Sequence, residues 1–418
     1  MDAMGVYYGR CICRRSLSVT SWISSHGDTL FPFFDQYHYY RAYSVYNEIR
    51  VFVSAYVWMT GFGNFLYFDK KQDFSIERAV SMWIRINYFP ILLSLSLGVP
   101  LELYYVVPLH TAGFFITMVT CWIAKLLQDK VFRSGSNNAA QVKAKCNMIA
   151  IGICLVAHIA FYESPAVNFL KFFSDEYAFR FQSDKYSAWV GILSGYFWSK
   201  FKQYMQWCYN SEGGQGQRQV YAMWGQRVGG VALMGTWYGL FGHIQDKYTY
   251  NPVHPYIFWM PVAGWLMVRN SSKYLTELHS GVLEFFGRIT LETYVLQFHV
   301  FMCRKVQYIP IVIPGSGPDG HIVVKTLNML LCGVIFVALA QWARKITVTT
   351  QTTITDLVHL IVHGPPSPSD GTGDEEGVSL TKSAAPIGGN NVSGRAIGCA
   401  GILSWSPFVS NSCFVLLE

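Results

Sequence analysis

The stretch GRITLETYVLQFHVF, residues 287 to 301, places an arginine, a glutamate and a histidine in an otherwise apolar run. At about 100° per residue, Arg288, Glu292, Leu296 and His299 fall within one narrow arc of a helix. A second histidine, His110 in LYYVVPLHTAGFF, follows Pro108, which is expected to free a backbone carbonyl and distort its helix. An unperturbed imidazole titrates at about pH 6.5, so either histidine is suited to remove a proton from a hydroxyl as it attacks a thioester. Arg50, Ser54, Val57, Gly61 and Asn64 share one face of EIRVFVSAYVWMTGFGN, and Arg85 and Asn87 stand inside SMWIRINYF. Guanidinium pairs well with phosphate and carbonyl oxygen, so these arginines are candidates for holding polar substrate groups.

The elements that must position these residues follow from composition. Of the 418 residues, 51% are hydrophobic and only 14% charged, with mean hydropathy +0.24. A soluble domain carries about 25% charged residues. The fold class expected is an all-α, polytopic membrane helix bundle of about eight to ten transmembrane helices. The apolar windows lie near 49–68, 79–98, 102–126, 147–170, 186–206, 220–242, 254–270, 280–304 and 323–343. In lipid an ionisable side chain costs at least ~2.5–3.5 kcal/mol, so Arg85, Glu292 and the histidines are expected to face the bundle interior or a water-filled cavity, and Arg50 either to face inward or to snorkel to the interface near its helix start. Glu292 then needs a cation: Arg85, Arg50, or Arg288 as a plain i,i+4 pair.

The organisation expected is an atypical N-terminal segment 1–35, a membrane domain 36–345, and a segment 346–418 that opens with an amphipathic stretch and becomes a largely disordered tail rich in Pro, Ser and Gly. Basic loops around 69–78, 127–145 and 200–218 share one side with the tail, and the positive-inside rule makes that side cytosolic. With that orientation His110 lies about 13 Å and His299 about 8 Å from the opposite face, with Glu292 about 10 Å further toward the cytosol. The opposing loops mix Lys171, Arg180 and Lys185 with Asp175, Glu176 and Asp184.

Net charge +7 is spread over loops beside apolar spans, a pattern of topology and not of nucleic-acid binding. Ten cysteines lack metal spacing; the close pair Cys11 and Cys13 has no matching pair elsewhere, and no metal is expected. Walker, HExxH and glycine-rich dinucleotide motifs are absent from the sequence.

Five blocks together resemble the multi-spanning O-acetyltransferases typified by plant reduced-wall-acetylation proteins, fungal capsule polysaccharide O-acetyltransferase and the membrane half of animal sialate O-acetyltransferase. They are YHYYRAYSVYNEIRVFVSAYVWMTGFGNF, DFSIERAVSMWIRINYF, LYYVVPLHT, YNPVHPYIFWMPV and GRITLETYVLQFHV, in the family's order. The family's His-Glu-Trp-His-Phe-Arg run appears as DEYAFR, with Asp175 and Ala178 at the histidine positions. The resemblance implies O-acetylation of a glycan acceptor in the Golgi, with acetyl-CoA as donor, in contact with membrane lipid and with a lumenal acetyltransferase as a conceivable partner. It implies functional roles for His38, Arg50, Arg85, Asn87, His110, Arg180, Glu292, Gln297 and His299, with His110, His299 and Glu292 as the catalytic candidates. Two further readings stand beside it: an acetyl-donor transporter that uses the same polar stripes to feed a separate transferase, and a truncated, non-catalytic relative acting as a scaffold, suggested by the residues at Asp175 and Ala178 and by the family block expected upstream.

Overall fold

The computed structural model describes residues 45–132, 139–209, 216–244, 246–277, 281–301, 309–317 and 320–364. His38, Cys11, Cys13, the segment 1–35 and the tail beyond 364 lie outside the described residues. Among the described residues every regular element is helical.

The chain runs through α1 (Tyr46–Lys71), α2 (Ile76–Leu97), a 3₁₀ turn (Leu101–Tyr104), α3 (Val106–Phe132) and α4 (Ala139–Tyr162). A 3₁₀ stretch (Pro165–Phe172) and the short α5 (Asp175–Ser183) lead into α6 (Ser187–Tyr209) and α7 (Gln217–Trp237). Then come α8 (Lys247–Ile257), α9 (Trp259–Arg269), α10 (Lys273–Glu277), α11 (Gly281–Arg288), α12 (Thr290–Val300) and the 42-residue α13 (Ile322–His363). Among the described residues five helices, α1 to α4 and α13, are both long and apolar enough to cross a bilayer. Helices α6 and α7, of 23 and 21 residues, reach spanning length with more polar faces.

Two expected spans are broken. The run 254–270 is interrupted at Phe258, where Pro261 has no N–H to offer the carbonyl of Ile257. The run 280–304 is interrupted at Ile289, so Arg288 and Glu292 belong to different helices. The single stripe read from the sequence is therefore split. Pro108 also departs from expectation, because it sits in the first turn of α3, where a missing N–H costs nothing and no carbonyl is freed.

The loops gather at two ends. Lys143 and Asn147 of α4 meet Asp69 at the end of α1, Lys125 reaches the carbonyl of Gln72, and His363 at the end of α13 pairs with Glu77 at the start of α2. At the other end Glu163 accepts hydrogen bonds from Lys185, Tyr186 and Tyr256, which hold its carboxyl down at about 2. These polar rims bracket the apolar core.

Helices α1 and α6 approach through glycines. A Cβ built on Gly61 would stand 2.1 Å from the carbonyl oxygen of Ala188, and one on Gly191 would stand 2.2 Å from that of Trp58. Small residues let membrane helices pack backbone to backbone, as here. Two residues away on the same helix, Gly63 has nothing within 4 Å of its Cβ position. Gly61→Ala is therefore expected to cost about 1–3 kcal/mol, the usual range for overpacking, and Gly63→Ala almost nothing. Thermal unfolding of the two variants in detergent checks this; equal melting temperatures would refute the close seam.

Candidate active site

Helix α1 carries two polar clusters, one nearer each end. Deeper along it, Tyr56, Met59, Thr60 and Asn64 form one wall of a cleft of about 260 Å³. Met82, Arg85 and Ile86 of α2 form the second wall, His110 of α3 the third, and Gly287, Thr290 and Leu291 at the junction of α11 and α12 the fourth. The cleft is mostly apolar with a few convergent polar groups, the usual makeup of a small-molecule site.

Burial makes His110 informative. Its side chain is 5% exposed, its Nδ1 is hydrogen-bonded to the hydroxyl of Thr60, and its Nε2 is buried without a partner. The ring also packs edge-on against Tyr56, with centroids 4.1 Å apart. If Nδ1 carries the proton and donates to Thr60, Nε2 presents a lone pair. A buried polar atom left unpaired is costly, so such an atom beside a cleft marks a place for a ligand. Asn87 supports this position from α2: its amide donates to Thr111, the residue after His110, at 2.9 Å, and to the carbonyl of Trp83 at 3.0 Å.

Arg85 and Glu292 form the charged element of the site. The guanidinium donates from Nη1 to Oε1 at 2.6 Å and from Nη2 to Oε2 at 3.4 Å. Glu292 is fully buried while Arg85 keeps 20% of its side chain exposed on the cleft wall. Of the three cations open to Glu292, the fold selects Arg85. Arg288 instead pairs one turn back with Glu284 at 2.6 Å, because the break at Ile289 removes it from the arc of Glu292.

The other cluster lies near the start of α1. Arg50 Nη2 donates to Asp184 Oδ2 at 3.0 Å, and Ser54 Oγ donates to Asp184 Oδ1 at 2.5 Å. His254 Nε2 lies 2.7 Å from Ser54 Oγ, and its Nδ1 lies 2.9 Å from the Tyr250 hydroxyl. A serine, a histidine and an aspartate are thus in contact, yet not in the order that activates a nucleophile. The serine proton is already given to the carboxylate, so Nε2–H must donate to Oγ, and the aspartate sits on the serine and not on the far side of the imidazole. All of these side chains are sealed from solvent. Their evident work is to clamp α1 to α8 and to the link between α5 and α6. Asn47 adds to the clamp, donating to the carbonyls of Phe241, Gly242 and Ile244 beside a one-turn π-helix (Tyr238–Gly242).

The remaining candidates are dispersed. His299 lies 2.5 Å from the Tyr104 hydroxyl through Nε2 and does not line the cleft. Arg180 pairs with Glu176 at 2.6 Å and stacks over Tyr105 at 3.9 Å. Gln297 is buried on α12 with both amide atoms unpartnered, away from the cleft lining. His110, Arg85 and Glu292 are brought together; Arg50, Arg180, Gln297 and His299 are not part of that group. Thr60 and Asn64 join it, though only Asn64 was marked by its face in the sequence. Asp184 gave no signal, since it reads as one charge among many in a solvated loop.

The helices of spanning length define a polytopic integral membrane protein, with His110 and the Arg85–Glu292 pair gathered at one interior cleft. Residues 37–360 match the 10 TM acyl transferase domain found in Cas1p, and the chain belongs to that family. It is also similar to an N-acetylneuraminate (7)9-O-acetyltransferase from Danio rerio, at 26% identity over 323 residues, covering 72% of this chain and 38% of the relative. The chain therefore spans well under half the length of that relative. No solved structure matches it.

Proposed function

We propose that the chain moves acetyl from acetyl-CoA to hydroxyls of a polysaccharide or other glycoconjugate at the Golgi membrane. The observation that carries this reading is His110, its Nε2 buried without a hydrogen-bond partner, on the wall of a cleft that is also lined by Arg85, the partner of Glu292. The family membership supports acyl transfer, and the O-acetyltransferase named above supports a sugar hydroxyl as acceptor.

In this reading the acceptor hydroxyl loses its proton to His110 Nε2 as its oxygen attacks the thioester carbonyl. In the tautomer where Nδ1–H donates to Thr60, Nε2 holds the lone pair that accepts this proton. Collapse of the tetrahedral intermediate breaks the carbon–sulfur bond, and the proton on His110 passes to the departing thiolate. Glu292 holds Arg85 against the cleft wall, where the guanidinium meets polar groups of donor or acceptor.

The test is to supply the purified chain in nanodiscs with radiolabelled acetyl-CoA, with and without candidate glycans. Label is expected on glycan, and a His110 variant is expected to abolish it. Label that crosses a vesicle membrane and never reaches an acceptor would overturn transfer in favour of donor transport.

A further inference from the structure

We propose that Arg78 is the phosphate-binding residue for the acyl donor, docking a phosphate of the coenzyme A portion at one rim of the bundle while the thioester end reaches the cleft. The inference rests on the acyl-transfer reading and names the part of the donor that this end of the molecule recognises.

Arg78, Met82 and Arg85 stand at positions i, i+4 and i+7 of α2, within about 60° of arc, so they share one face. Met82 and Arg85 line the cleft. Thr60, Asn64 and Tyr67 have the same spacing on α1, and Thr60 and Asn64 line another wall of it. Beyond the cleft the two stripes meet, for the Arg78 guanidinium lies 3.9 Å from the centroid of the Tyr67 ring. Arg78 thus stands past this end of the cleft, about 10 Å along the helix from Arg85.

The guanidinium is held but not satisfied. Its Nε and Nη2 are buried and have no hydrogen-bond partner among the described residues. Stacking on Tyr67 orients the side chain without accepting a hydrogen bond from those nitrogens. The carboxylates of this rim are committed elsewhere. Asp73 accepts from the Tyr67 hydroxyl and from the backbone N–H of Ser75, both at 3.1 Å, and reaches Arg78 through its charge and not through a hydrogen bond. Glu77 pairs with His363, and Asp69 with Lys143. Buried donors without a partner are costly, and a guanidinium fork matches the oxygens of a phosphate.

The surroundings favour a polyanion. Lys70 and Lys71 end α1 and are exposed, and Lys125 reaches the carbonyl of Gln72 in the turn between α1 and α2. Such a basic rim attracts phosphates and carries the loops that the positive-inside rule assigns to the cytosol. Acetyl-CoA has its phosphates at one end of a pantetheine arm and its thioester at the other. A phosphate at Arg78 leaves that arm to cover the distance to the cleft.

The test compares two thioester donors in nanodiscs, acetyl-CoA and S-acetyl-pantetheine, which has the arm and no phosphate. Arg78→Gln is expected to raise KM for acetyl-CoA by about 10- to 100-fold, as for loss of a hydrogen bond to a charged group, with kcat little changed. Its kcat/KM for S-acetyl-pantetheine stays within a few-fold of wild type, whereas a packing role would lower both alike. Arg78→Lys keeps the charge and loses the fork, so a smaller rise confined to acetyl-CoA is expected; this variant carries the test should Arg78→Gln fail to fold. An unchanged KM for acetyl-CoA overturns the assignment, and so do equal losses with both donors. Equal losses that vanish in a phosphate-free detergent identify a lipid headgroup phosphate as the occupant instead. Calorimetric binding of coenzyme A alone separates this site from the transfer reading. If the wild-type chain transfers acetyl from neither donor, yet Arg78→Gln weakens coenzyme A binding by about 10-fold or more, the transfer reading fails and the site stands. Coenzyme A binding that is absent from the wild type, or equal in the two proteins, overturns the site.

Discussion

Replacing His110 with alanine is expected to lower acetyl transfer by about 100- to 10,000-fold, the range for loss of a general base. Stability should change far less than activity. The side chain contributes one hydrogen bond, to Thr60, and its other nitrogen already lacks a partner, so truncation does not strand a buried charge. His299→Ala offers the informative comparison, since that imidazole is engaged by Tyr104 and lies outside the cleft lining. Its expected loss is under about 10-fold, well below the range for a general base. Acetyl transfer to glycan, measured for both variants at equal folded concentration, checks this. Equal losses for the two would mean that the proton is handled elsewhere.

The second large effect concerns stability. Asp184→Ala leaves Arg50, 2% exposed, without its carboxylate and deprives Ser54 of its acceptor. Removing one member of a buried ion pair costs about 3–5 kcal/mol, whereas replacing both with apolar residues is often close to neutral. A double variant, Arg50→Met with Asp184→Leu, is therefore expected to melt at a higher temperature than Asp184→Ala alone. Should the double variant be no more stable, the pair holds more than its own charges, and Arg50 must be needed for another contact.

Much of the fold was legible because lipid enforces long apolar runs, and α1 to α4 and α13 overlap the windows read from composition. The interruption at Ile289 was not legible. Gly287, two residues earlier, is the one helix-weakening residue beside it, and a lone glycine in an apolar run does not register in hydropathy. The site was half legible. A buried charge announces that it needs a partner, but the choice of Arg85 over Arg288 for Glu292 depends on a contact between residues 207 positions apart. Ser54 lay on a recognised polar face, while Asp184 and His254 were hidden by plain loop and proline-rich surroundings.

The Arg50–Asp184 clamp also bears on how the chain is made. The two residues are 134 positions apart, and ribosomes add roughly 5–20 residues per second, so an arginine already threaded into the translocon waits roughly 7–27 s for its carboxylate to be synthesised. During that interval α1 carries an unneutralised guanidinium near its start, so its transfer into lipid is costlier before Asp184 arrives than after. Codon changes that slow elongation between residues 50 and 184 would lengthen this exposure and divert more nascent chains to degradation, with no change in the amino-acid sequence.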